Sequence, residues 1–90
     1  MRKAKPKVKR VTVRERKLGR EQAHGMISKL DTDNPLLEID ERLRGFKHLT
    51  VLCHEAVHAS FPSMAERRVI SAGKVIAGIL WASNYRRFQV

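Results

Sequence analysis

The sequence predicts a small α+β domain: a short two- or three-stranded antiparallel sheet packed on two helices. Three observations predict it. The first half of the 90-residue chain carries short apolar alternations broken by turn residues. The second half carries two long stretches of helical periodicity separated by Pro62. Ninety residues also allow one domain and no second one.

Residues 1–7 read as a flexible basic arm and residues 8–90 as the domain. From Val8 onward, Val11 and Val13 alternate with Thr12 and Arg14, which predicts a half-exposed strand to about Leu18. Gly19 and Arg20 end it. Residues 21–30 are interrupted by Gly25, and Met26-Ile27 suit the start of a second short strand. Asp31-Thr32-Asp33-Asn34-Pro35 is a turn, because Asx side chains bond their own backbone and proline presets φ. Leu36 to Asp40 follows as a strand with Leu37 and Ile39 on one face.

The first helix is predicted over Phe46 to Ser60, stopping before Pro62. Leu49, Leu52, Ala56 and Ala59 make one apolar face, while Val51, His54, Val57, His58 and Phe61 occupy the other side. Apolar groups on both sides mean that other elements sandwich this helix. The second helix is predicted from Ser63 to about Asn84, with Val69, Ile70, Ala72, Ile76, Ile79, Leu80 and Trp81 as its core. Gly73 and Gly78 each cost about 1 kcal/mol relative to Ala inside a helix, so close packing on the first helix is expected there.

The net charge of +10 suggests nucleic acid or another polyanion as a partner. Its distribution weakens that suggestion. Residues 1–20 hold ten basic groups and one acid, while residues 21–90 hold nine and eight. A solvated tail is the favoured explanation of such an end, ahead of a polyanion contact through residues 2–20. No aromatic residue interleaves with these basic groups, so a base-stacking platform is unsupported. The longest apolar run, Val75 to Ala82, is far short of the ~20 residues of a membrane span. No apolar stretch follows Arg2–Arg10 as a signal peptide needs, so a soluble protein without a membrane partner is expected. Cys53 is the lone cysteine, which precludes an internal disulfide and points to a reducing compartment, the cytoplasm.

The chemistry is carried by His54-Glu55-Ala56-Val57-His58, an H-E-x-x-H pattern on the first helix. Spacing of i, i+4 puts both imidazoles on one side, one turn apart, where both reach a single metal ion. Glu55 points about 100° away from His54, where it can serve a metal-bound water as general base. The bland alternative is two partly buried histidines with local hydrogen bonds and a surface glutamate. A catalytic zinc takes three protein ligands, so a third is required. The extended pattern with a third histidine would place it at position 64, which is Met64. His24 and His48 remain, although His48 lies six residues before His54 and faces well away from it. Glu66 is the best candidate, eight residues after His58 and just past the Pro62 turn. Ser63-Met64-Ala65-Glu66 also fits a capping box, in which Glu66 reaches back to the N-cap amide. Positions 66, 70, 73, 77 and 80 (Glu, Ile, Gly, Ala, Leu) form one stripe facing the core, where an unpaired carboxylate is costly. That favours a ligand over a cap.

With these residues in view, the chain resembles the small zincin-fold proteins encoded by phages and prophages, minimal gluzincin-like metallopeptidases. The resemblance runs over roughly residues 8–88. It rests on Ile39-Asp40-Glu41-Arg42-Leu43-Arg44-Gly45, on Leu49-Thr50-Val51-Leu52-Cys53-His54-Glu55-Ala56-Val57-His58, on Pro62 and Glu66, and on Leu80-Trp81 with Tyr85-Arg86-Arg87. It implies a short antiparallel sheet on two helices, one Zn2+ per chain on His54, His58 and Glu66, and Glu55 as the base. It also implies the cytoplasm of a bacterial host, or association with the virion.

The expected activity is zinc-dependent hydrolysis of peptide bonds in a protein or peptide substrate. Such a substrate would lie along an edge strand, either Leu36–Asp40 or the Val8–Leu18 strand. Tyr85 and His24 are candidate oxyanion stabilisers. Two rival expectations are a zinc-stapled structural or binding protein without turnover and a sequence-independent nucleic-acid binder using the basic arm.

Overall fold

In the computed structural model, which describes residues 10–19 and 24–86, three strands precede two helices. The strands are β1 (Thr12–Arg16), β2 (Gly25–Ser28) and β3 (Leu36–Asp40); the helices are α1 (Gly45–Ser60) and α2 (Glu66–Ala82). The expected arm of residues 1–7, and the expected strand start at Val8, lie outside the described residues, as does most of the basic stretch that suggested a polyanion. Among the described residues, no helix is long and apolar enough to cross a membrane.

The α+β class holds, but the sheet is mixed where an antiparallel one was expected. The strand order is β1-β3-β2; β2 pairs with β3 antiparallel, while β1 runs parallel to it. β3 takes the centre because it is the most apolar strand: Leu37 and Ile39 are essentially inaccessible. A strand paired on both edges and covered on a face suits such residues, whereas the polar β1 can tolerate an edge. β1 and β2 flank β3 with Arg16 opposite Asp40 and Gly25 opposite Ile39, so the short link between them joins the same end of the sheet and β1 runs parallel to β3. Leu36–Asp40 is therefore central and cannot accept an added strand.

Register and close contact identify the covered face. Gly25 stands opposite Ile39, and a Cβ at Gly25 would lie 2.6 Å from Val51 Cγ1 on α1. Ile39, Leu37 and Gly25 therefore face α1. Glu38 and Asp40 project the other way and remain buried. Arginines cover both: Arg16 Nε donates to Glu38 Oε2, and Arg42 Nη2 donates to Asp40 Oδ2 at 2.6 Å.

The β3–α1 connection is tied down by its own charges. Asp40 Oδ1 accepts the Arg42 backbone N–H at 3.0 Å and Arg42 Nε at 2.8 Å, while Arg44 Nη1 donates to Glu41 O at 2.6 Å. The Arg42 side chain, then its backbone N–H, hold the Asp40 carboxyl well below the usual carboxylate range. Gly45 then turns into α1 at φ 58, in the left-handed region that glycine enters without strain.

α1 lies against β2 and β3 on one side and α2 on the other, as its two apolar sides predict. α2 begins at Glu66 rather than Ser63, because Pro62–Met64 form a turn in which Met64 N–H donates to Phe61 O at 3.0 Å. Its inner face also differs from expectation. Val69, Gly73 and Ala77 are buried, whereas Ile70, Ile76 and Ile79 are 41%, 42% and 61% exposed. Small residues let the helix axes approach, and the large ones flank the contact. At Gly73 a Cβ would sit 3.0 Å from His54 Cα and 3.2 Å from His54 N, so the expected close packing occurs there. At Gly78 nothing lies within 4 Å, so packing does not explain that glycine. Ala56 on α1 and Phe61 just after its end are exposed rather than inward.

Candidate metal centre

His54 and His58 stand one turn apart on α1, their rings 4.9 Å apart at 71°. α2 returns over α1 after the Pro62 turn and places Glu66, its first residue, across from both. Glu66 Oε1 lies 2.9 Å from His54 Nε2, and Oε2 lies 2.8 Å from His58 Nε2. One ligand atom from each of these residues falls within 4.8 Å of the others, a group that can hold one metal ion.

The capping alternative for Glu66 is not realised. Ala65 is the N-cap of α2 and no side chain caps it, while Glu66 occupies the first helical position. A capping box needs its glutamate two positions further in. The carboxylate turns to the two imidazoles instead.

Glu55 is close to the cluster but not part of it. It is buried, and burial pushes its carboxyl above the usual range; His54 and His58 oppose that and Glu66 adds to it. It lines a cleft of about 250 Å3 between α1 and the start of β2, together with His24, Gly25, Lys47, Thr50, Val51 and His54. Gly25 is what lets the strand come so close: a Cβ there would also stand 3.1 Å from Glu55 Cγ. Cys53, next to His54, is buried, and burial raises its thiol pKa, so it stays protonated and apart from the cluster.

The remaining candidates separate clearly. His24 lines the cleft beside Glu55, and its carbonyl accepts the Asp40 N–H at 2.8 Å. Tyr85 follows the far end of α2, whose 17 residues span about 25 Å. It is 68% exposed and does not line the cleft, which removes it as an oxyanion donor. His48 faces away as expected, its Nε2 3.3 Å from Glu15 Oε1. That pair borders a larger hollow of about 620 Å3, walled by Leu49, Leu52 and Trp81, which contains none of the cluster residues. The smaller cleft is the one that His54 and Glu55 line. Sequence reasoning passed over Lys47 and Gly25. The seven- and eight-residue spacing of Lys47 from His54 and Glu55 was a signal for the first.

Compared with protein families, curated proteins and solved structures, the chain matches none.

Proposed function

We propose that the protein is a zinc-dependent, zincin-like peptidase in which His54, His58 and Glu66 hold the ion and Glu55 is the general base. The observation that carries this reading is that His54, one member of the three-residue cluster, lines the same cleft as the buried Glu55. Two imidazoles and a carboxylate are the donor set of catalytic zinc sites that keep a fourth position for water or substrate. Ligand atoms around tetrahedral zinc stand about 3.4 Å apart. The separations of 2.8 and 2.9 Å, with 4.8 Å as the outer limit, bracket that value.

A bound zinc supplies Lewis acidity, which polarises a carbonyl and makes water acidic near neutral pH. The chain's own residues do the rest. Glu55 accepts the proton of the attacking water and returns it to the leaving amine. β2 is outermost in the strand order and borders the cleft, so an extended peptide can add to it through main-chain hydrogen bonds. His24, which lines the cleft, would donate to an oxygen developing charge there.

Metal analysis and a mixed peptide library test this reading on the wild type and Glu55→Gln. Both proteins are expected to carry one zinc, and cleavage by the variant should fall about 10²–10⁴-fold, the usual worth of a general base. Substoichiometric zinc after gentle purification removes the proposal. Full zinc without cleavage by either protein supports a second reading, a zinc-stapled structural protein. That reading is favoured by one observation: the ligands come from both helices, so an ion joins α1 to α2.

A further inference from the structure

We infer that Lys47 makes the cleft selective for peptides carrying a carboxylate to one side of the scissile bond. This rests on the peptidase reading above and names its substrate class. Lys47, Thr50, Val51 and His54 recur at three- and four-residue intervals along α1, so they share the helix face that walls the cleft. His24 and Gly25 form the facing wall. Strand and helix touch at Gly25, beside Val51 and Glu55. A peptide added to β2 therefore passes along the α1 face that carries Lys47.

The other groups lining the cleft are already committed. His54 belongs to the cluster and Glu55 is the base. Thr50 Oγ1 donates to Phe46 O at 2.8 Å within its own helix. The ammonium of Lys47 remains: it is exposed, and among the described residues it has no ion-pair partner. No acid other than Glu55 lines the cleft to compete for it.

Distance sets the subsite. Lys47 precedes His54 by seven residues, about 10.5 Å along the helix axis. An extended peptide covers that length in about three residues, and the flexible lysine stem shortens the reach required. The carboxylate thus belongs two or three residues from the scissile bond. It is supplied either by an Asp or Glu side chain or by the end of the peptide.

The test uses internally quenched peptides with Glu, Gln or Lys at each of the three positions on either side of the cleaved bond, each with a free or amidated C-terminus. At low salt the wild type should favour the best Glu peptide over its Gln counterpart by about fivefold in kcat/KM, the worth of one partly exposed ion pair. Lys47→Glu should invert the order towards Lys peptides, and high salt should flatten it. Dependence on the free C-terminus alone assigns the carboxylate to the peptide end. Equal rates for all three residues, or the same Glu preference in Lys47→Glu, overturn the inference. Anisotropy with the same peptides on zinc-loaded Glu55→Gln, with and without Lys47→Glu, reads selectivity without turnover. Selective binding with no wild-type cleavage keeps the inference and overturns the peptidase reading; cleavage without charge selectivity does the reverse.

Discussion

Glu66 opens α2, and its carboxylate reaches two imidazoles on the neighbouring helix rather than its own backbone. The string Ser63-Met64-Ala65-Glu66 supported either outcome, because a capping box depends on where the helix begins, and the Pro62–Met64 turn sets that point three residues late. His54, Glu55 and His58 were legible because one helix carries all three and the i, i+4 spacing needs no tertiary information. Asp40 also acts at this scale. Its carboxyl is depressed in the native state and titrates near 3.9 in the unfolded chain. Its stabilising contribution is therefore complete above about pH 5 and declines as pH falls through the unfolded value towards the lower native one. Asp40→Asn is expected to have a lower denaturation midpoint than the wild type at pH 7, with the gap narrowing steadily below about pH 4. A gap that stays constant from pH 7 to pH 3 would contradict this coupling.

At the scale of elements, the two glycines of α2 separate two kinds of cost. Gly73→Ala gains helix propensity of about 1 kcal/mol, but its Cβ meets His54 backbone atoms at 3.0 and 3.2 Å, which cannot move aside as a side chain can. Overpacking of this kind costs about 1–3 kcal/mol. We expect Gly73→Ala to be destabilised by roughly 1 kcal/mol in urea unfolding and to bind zinc more weakly, since the displaced residue is His54. Gly78→Ala meets nothing and should gain up to about 1 kcal/mol. A Gly73→Ala protein more stable than the wild type would show that the helices have room there. The same contact explains why Val69 is buried as its periodicity predicts while Ile70, Ile76 and Ile79, predicted beside it, are exposed. Periodicity ranks positions by hydrophobicity and so selected the isoleucines, while close approach selects small side chains. β3 was placed to the residue, because alternation between a turn and a charged loop bounds it on both sides. The direction of β1 could not be read, since pairing is decided by which strand takes the centre.

For the whole molecule, the question is how so short a chain stays folded. A 90-residue domain leaves much of its surface exposed and is correspondingly marginal. Its core is small: Leu18, Leu37, Ile39 and Val69 are the largest apolar side chains that are essentially inaccessible. An ion on His54, His58 and Glu66 would link α1 to α2. A ligand at about 100 times its Kd stabilises by about 2.7 kcal/mol, which corresponds to roughly 10–20 °C in a domain of this size. Zinc addition should raise the Tm of the chelator-treated protein by that amount. Glu66→Ala should lose most of the shift, as measured by calorimetry in parallel with bound zinc. An equal shift in Glu66→Ala would show that the ion binds elsewhere.

The sequence by itself determined the fold class and the helix that carries the H-E-x-x-H pattern, with His54, Glu55 and His58 at their places on it, because local periodicity specifies all of these. It also marked Glu66 without deciding its role. Tertiary structure decided what depends on contacts between elements. It brought Glu66 across the Pro62 turn to both imidazoles, pressed β2 against α1 at a glycine, and made β2 the strand that borders the cleft. It left Tyr85 at the far end of α2 and placed Lys47 along the cleft wall. Spacing along a chain fixes which residues share a helix face; only the packing of one element on another fixes what that face meets.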